Sequence, residues 1–581
     1  MAFEKTASLT GGGRVMMSRV LLYVLTFIAL LCAASVVLTT LRAMYDAYLP
    51  LPFMDQWAVL SLQDCIDQLF SQHNEHRIVV FRLLSMLDQL LSSGTYLVNF
   101  YASLAMQVVH AVTFAALVYW AGVRGAANVI LAGAISLGYM FWGGQWENFL
   151  YSFQTQFFAV FLAGTLAFAA IAAVRGWAGV GAASLCAALA VGSLSNGVLV
   201  CLLLPPLAIW LGRPRRETAV LAGVAAGLIA LYLAGYQSPD PDLTPFAALL
   251  KPLTSLRYTL AYLGQPLEEL LRVQIAAVQG HRHLIAIVMG GIGVGLGIFG
   301  GAVLVVRPSF ATPARLVLLY VILFIAASAA LTSLGRLTFG VGQALASRYL
   351  TPSLIFWLAL TFLWWSLLPG RFRLLAPASA VCALMLMAGY GRHVDDVVHA
   401  MRLTRDGAAT ALLSNVRDDQ EFAKIFLDPQ VVAARADILR QKRLALFATP
   451  WAGWLGTPLV AHATLRPASA CLGAFEGAQA VPDNPPGTAF RVTGWAWDPA
   501  RAGAPEKILL VDAAGTIVGY GLTDGLRPDI VASIPPVTRQ EVGWRGHVKL
   551  TGPTQVGAFI LLEDGRSACP LGGSRLLGGP A

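Results

Sequence analysis

Phe53-Met54-Asp55-Gln56-Trp57 and, about twenty residues on, His73-Asn74-Glu75-His76-Arg77 stand in one polar segment, residues 45–96. Acids, imidazoles, an arginine and an indole gather there. The flanking runs, 20–38 and 98–122, contain no Asp, Glu, Lys or Arg. Each is long enough to cross a hydrocarbon core of roughly 30 Å as a helix. A chemically rich loop set between two such runs predicts a polytopic α-helical membrane protein.

The whole chain agrees. Of its 581 residues, 57% are hydrophobic and only 12% charged, with a mean hydropathy of +0.66, far from the composition of soluble domains. The run 20–38 is long enough to stay as an anchor rather than act as a cleavable signal. A net charge of +9 does not point to nucleic acid, because the basic residues sit in short clusters at the ends of apolar runs. Cys471 and Cys569 bracket the C-terminal region and can form a disulfide, which requires an oxidising compartment.

Eleven spans are expected, near 20–40, 98–122, 126–142, 149–174, 177–194, 198–212, 217–236, 284–306, 313–333, 350–369 and 374–391. Lys5, Arg14 and Arg19 place the N-terminus in the cytoplasm and the first loop, 43–96, outside. Arg124, Arg175, Arg213-Pro214-Arg215-Arg216, the 307–315 stretch and the 371–373 stretch then all fall in cytoplasmic connections. The odd count puts everything after residue 391 outside. This divides the chain into a transmembrane domain (1–395), a helical linker (396–463) and a β-sandwich (464–581) built from short strands at 490–497, 507–512, 516–520, 546–550 and 556–562. Apolar residues at three-to-four spacing predict amphipathic helices over 57–70, 78–91 and 246–277.

Asp55 stands just beyond the outer end of the first span, where a carboxylate can take a proton from an attacking hydroxyl, and Trp57 can stack on a sugar. The alternative is an interfacial acid beside an aromatic-belt tryptophan. Glu75, His76 and Arg77 are able to grip a phosphate or a divalent cation, although a polar helix start reads the same way. Trp146, Glu147 and Asn148, within Gly143-Gly144-Gln145-Trp146-Glu147-Asn148, sit at the mouth of a span. Gln154 and Gln156 lie deeper, serving either a ligand or interhelical hydrogen bonds. Arg336, Arg348 and Arg392 lie outside, against the positive-inside bias, so an anion is expected there: a lipid-linked phosphate or an anionic headgroup. His281-Arg282-His283 reads as interfacial decoration, and Glu268 with Glu269 as a solvated helix face.

The large first outer loop with its early acid, the helices in that loop, about eleven spans, the late outer Ser347-Arg348-Tyr349 and a C-terminal outer domain together resemble the GT-C-fold glycosyltransferases. These are membrane enzymes that take a sugar from a polyprenyl phosphate or pyrophosphate. Met54-Asp55-Gln56-Trp57, His73-Asn74-Glu75-His76-Arg77 and Gln145-Trp146-Glu147-Asn148 look like segments of bacterial members, and the resemblance covers roughly residues 15–395. It implies an inverting transfer with Asp55 as general base and Glu75 as a second catalytic group. Trp57, His76, Arg77, Trp146, Glu147, Asn148, Gln154, Arg336, Arg348, Tyr349 and Arg392 would bind substrate or its phosphate. The loop's first part has no Asp-x-Asp or Asp-Asp pair, which favours a metal-free, monophosphate-linked donor; a divalent cation, Mg or Mn, stays open. The implied partners are a polyprenyl-phosphate-linked sugar, a periplasmic glycan or glycolipid acceptor and the bilayer, in a bacterial inner membrane. The tail, with Gly494-Trp495-Ala496-Trp497-Asp498, Arg527-Pro528-Asp529 and Gly543-Trp544, resembles a small β-module attached to bacterial surface-polysaccharide proteins.

Two other classes compete. A translocase for lipid-linked sugars needs ionisable residues at mid-depth, and the spans are poor in them. An O-antigen polymerase or ligase is also a multispan protein with outer arginines, but its main outer loop comes late; the acid in the first loop separates the two.

Overall fold

The computed structural model describes residues 2–238, 251–275 and 280–578. The side chains of Lys5, Arg14 and Arg371, and parts of the expected outer connection 237–283, lie outside the described residues. Two compact units result. The first comprises Met1–Asp46, Ile66–Leu84 and Asn99–Asp395, and the second Ala47–Cys65, Ser85–Val98 and Asp396–Ala581.

The first unit is helical. Eight of its described helical stretches are long and apolar enough to cross a membrane: Arg19–Ala47, Leu97–Trp120, Ala126–Leu150, Ser152–Ala173, Arg215–Leu233, Arg282–Val306, Pro313–Phe339 and Ser347–Leu367. The other three expected spans do form helices, Gly176–Val191, Gly197–Trp210 and Leu375–Ala388. At 1.5 Å per residue, each reaches only roughly 21–24 Å. Leu375–Ala388 meets Gly391–Leu413 at a 47° bend, and only if that bent pair is taken as one span is there a ninth. The expected eleven thus become eight or nine. Removing the two adjacent short helices as a pair leaves the parity of eleven unchanged.

Helix Pro252–Gln274, expected as amphipathic, packs backbone to backbone against Arg282–Val306. A Cβ on Gly264 would overlap the Ala286 carbonyl oxygen, and one on Gly290 the Leu260 carbonyl oxygen. Only glycine permits so close an approach.

The second unit contains a closed barrel rather than the expected sandwich. Its strands are β1 Thr464–Leu465, β2 Leu472–Ala480, β3 Ala489–Trp497, β4 Lys507–Asp512, β5 Ile517–Gly525, β6 Gly543–Lys549, β7 Thr554–Leu561 and β8 Ser567–Leu577. They run in the order β1-β8-β2-β3-β6-β5-β4-β7, and β7 also pairs with β8, so seven strands close on themselves. Register shifts in β2, β4, β5 and β7 are bulges of the kind that curl a sheet into a barrel. Cys471 and Cys569 are disulfide-bonded.

Along β4 the side chains alternate between two cores. Ile508 and Leu510 join Val548, Val556 and Ile560 inside the barrel. Leu509 and Val511 instead join Leu412, Phe422, Leu439, Trp451 and Tyr520. Residues 396–463, expected as a linker, therefore form a packed layer sharing one core with the barrel wall. Leu51, Trp57 and Leu60 from the first loop complete that core.

Candidate functional site

On helix Pro252–Gln274, Gln265, Glu268, Glu269 and Arg272 follow the i, i+3, i+4, i+7 spacing that puts side chains on one face. The solvated face expected for the acids is not what forms: Gln265 is 1% exposed, Glu268 0% and Glu269 7%. Two devices turn this face inward. One is the Gly264 and Gly290 crossing. The other is Pro266, which has no amide to offer the Tyr262 carbonyl one turn earlier. Ser353 Oγ takes that place at 2.6 Å, and Trp357 Nε1 donates to the neighbouring Leu263 carbonyl at 2.8 Å.

Buried charges on this face are matched. Arg282 Nε donates to Glu268 Oε1 at 2.9 Å, Arg272 Nε to Glu269 Oε2 at 3.1 Å, and the Tyr390 hydroxyl to Glu269. His393 Nε2 lies 3.9 Å from Glu269 Oε1. Burial pushes the Glu268 carboxyl above its ordinary range, with the Arg282 bond opposing the rise.

The facing wall is the short helix Trp146–Leu150 and the turn Ser347–Tyr349. Arg348 Nη1 donates to Glu147 Oε1 at 2.7 Å, and Ser347 Oγ to Glu147 Oε2 at 3.2 Å. Asn148 Nδ2 donates to the Arg348 carbonyl at 2.9 Å and to Thr351 Oγ1 at 2.8 Å. Gln265 Nε2 ties the two walls together through the Ala346 carbonyl, at 3.0 Å. Between them opens a cleft of about 330 Å³, lined by Trp146, Glu147, Gln265, Glu269, Arg272, Arg282, Ser347 and His393 among others. That volume lies within the range of small-molecule sites.

No protein-family model and no curated protein matches this chain.

Of the residues singled out in sequence, Trp146 and Glu147 line the cleft, and Asn148 and Arg348 build its wall. Tyr349 is buried at the wall's edge, under the Arg348 guanidinium at 5.3 Å and beside the Tyr262 ring at 4.9 Å. Gln265, Glu269, Arg272, Arg282 and His393 were missed as site residues. Their signal was present: a polar stripe at helical spacing on a chain with few polar residues.

Glu75 and Arg336 meet elsewhere in the first unit, Nη2 to Oε1 at 2.5 Å. Burial alone would push the Glu75 carboxyl up, but His76 and Arg336 hold it below its usual range. Arg336 and Arg348 both lie close enough to Tyr258 to counter the rise that burial, and then Tyr349, imposes on its phenol. His76 Nδ1 accepts from the Ser195 amide at 3.3 Å. Arg77 donates to the carbonyls of Phe70 (2.6 Å), Tyr232 (3.3 Å) and Ala234 (2.5 Å). A phosphate at Arg77 would have to displace them. Gln154 is 6% exposed, and its Oε1 is buried with no hydrogen-bond partner among the described residues. Arg392 is exposed and forms no ion pair among the described residues.

Asp55 and Trp57 belong to the second unit. Trp57 is fully buried in its helical core, and its carbonyl accepts from Arg435 at 2.6 Å. Asp55 lies in the 3-10 turn Met54–Ala58. A hydroxyl–imidazole–carboxylate chain also stands in this unit. Thr410 Oγ1 is 2.9 Å from His547 Nδ1, and His547 Nε2 is 3.0 Å from Asp418 Oδ2. Thr410 is 0% and His547 3% exposed, so no substrate reaches them, and the chain pins helix to barrel. Among the described residues no three His, Cys, Asp or Glu side chains gather as a metal site.

Proposed function

We propose that this chain is a membrane glycosyltransferase of the bacterial inner membrane, moving a sugar from a polyprenyl-phosphate carrier to a periplasmic glycan or glycolipid. The observation that supports this reading is the cleft. In a unit made of apolar helices, an indole, carboxylates, guanidinium groups and an amide converge on one volume of about 330 Å³, and such groups recognise hydroxyl-rich molecules. The acceptor hydroxyl gives its proton to a carboxylate, the role that the family resemblance gives to Asp55, and attacks the anomeric carbon. The bond from that carbon to the phosphate oxygen breaks, the anomeric centre inverts, and the lipid phosphate leaves as an anion. Arg336 and Arg392 are the proposed cations for that anion. Arg336 would exchange the Glu75 carboxylate for it, and Arg392 forms no ion pair among the described residues. The Cys471–Cys569 disulfide favours a periplasmic barrel and a cytoplasmic N-terminus.

A polymerase or ligase reading draws on one feature, the contribution of the late loop, through Ala346 and Ser347, to the cleft wall. The test is transfer by the purified full-length protein from a panel of synthetic polyprenyl-phosphate sugars. Transfer of single sugars that is lost in a folded Asp55→Asn variant supports the proposal. Wild-type rates in that variant remove the base, and transfer of preassembled chains only favours the ligase reading.

A further inference from the structure

Apart from the His393 imidazole, 3.9 Å from Glu269, the charges around the cleft balance. Glu147 is matched by Arg348, Glu269 by Arg272 and Glu268 by Arg282, three carboxylates against three guanidinium groups. A phosphate entering this volume would bring negative charge to a site whose cations are already held by carboxylates, and it would gain only by breaking those pairs. An uncharged ligand meets no such obstacle.

A second, independent observation points to what that ligand presents. Gln265 lines the cleft and is 1% exposed. Its Nε2 is spent on the Ala346 carbonyl, while its Oε1 is buried with no hydrogen-bond partner among the described residues. A buried acceptor without a donor is costly and rare in folded proteins. The missing partner is a donor such as a hydroxyl. Half-buried Trp146 on the facing wall offers a flat apolar surface of the kind on which sugar rings stack.

We infer that the cleft between Trp146 and Gln265 seats an uncharged, hydroxyl-bearing ring of the substrate and excludes the lipid phosphate. This deepens and rests on the glycosyltransferase reading, dividing the substrate: the ring occupies the balanced cleft, and the phosphate is left to cations outside it.

Saturation-transfer difference NMR on the full-length protein in detergent tests this, with methyl hexosides and methyl pentosides as neutral probes and inorganic phosphate as the anionic one. Saturation is expected to reach at least one neutral glycoside. That signal should persist in excess phosphate and weaken by about tenfold in Trp146→Ala and Gln265→Leu. Trp146→Phe should recover part of it, which separates loss of the stacking surface from loss of the fold. The inference is overturned if phosphate displaces the glycosides, or if no neutral glycoside gives a signal that depends on Trp146. The two readings fail separately. Glycoside binding without sugar transfer removes the enzyme and leaves the cleft assignment; transfer with phosphate bound in the cleft does the reverse.

Discussion

Ser353 Oγ donates to the carbonyl oxygen of Tyr262 at 2.6 Å, the acceptor that Pro266 leaves open on helix Pro252–Gln274. A sequence defect on one helix is thus answered by a hydroxyl on another, and the bond fixes the turn that carries Gln265, Glu268 and Glu269.

Ser353→Ala should leave that carbonyl buried and unpaired, at a cost of about 1–3 kcal/mol. Pro266→Ala restores an amide donor to the same carbonyl, so the double variant should lose less stability than the two single losses added. Thermal midpoints of the four proteins in one detergent measure this; additive losses would mean that the hydroxyl does not stand in for the amide.

Asp406 is 4% exposed, in the part of helix Gly391–Leu413 that packs with the barrel. Burial pushes its carboxyl up to about 7; Arg402 opposes the rise, Asp524 adds to it, and Arg405 and Arg545 oppose it. A folded-state pKa above the unfolded one means that the native state binds the proton more tightly. The resulting stabilisation is complete below about pH 4 and lost as pH rises through about 7. Asp406→Asn should flatten that slope and raise the thermal midpoint at pH 8. A variant whose midpoint still falls between pH 4 and 7 as the wild type's does would place the titration elsewhere.

Asp418 has the opposite sign. Burial would raise its carboxyl, but hydrogen bonds from His547 and Arg491 hold it well below the ordinary value. Its contribution is present above about pH 4 and lost as pH falls further. Asp418→Asn strips the partly buried Arg491 of its counter-charge and changes the partner of the His547 imidazole, and should cost about 1–3 kcal/mol at neutral pH. Thermal scans at pH 7 and pH 3 should therefore differ more for the wild type than for the variant.

Much of this was legible in the sequence, because lipid leaves few choices for apolar runs. All eleven expected runs form helices, and five of the eight strands were marked by alternation. β1, two residues long, β2 and β8 were not, since Leu472–Ala480 and Ser567–Leu577 are rich in Ala, Gly and Ser and lack a period of two. The strand that closes the barrel was therefore invisible, and an open sandwich was expected. The site was half legible. Trp146, Glu147 and Arg348 stood out as polar groups at helix ends, whereas Gln265, Glu269 and Arg272 sit on a helix whose moderate polarity resembles a wet surface. Only the Gly264 crossing and the Pro266 bond show that this face is buried. The partners of Arg77 were hidden for the opposite reason: of the three carbonyls that use its donors, those of Tyr232 and Ala234 stand more than 150 residues away, and no local pattern announces them.

The central claim is that a sugar leaves a lipid phosphate in this protein, and single-turnover transfer in proteoliposomes tests it most directly. With a radiolabelled polyprenyl-phosphate sugar, label should pass from the lipid phase to the acceptor, and Arg336→Ala should slow this by roughly 100-fold, the usual effect of removing one charge stabiliser from a reacting centre. If label stays with the lipid for every donor supplied, or moves equally fast without Arg336, the account is contradicted.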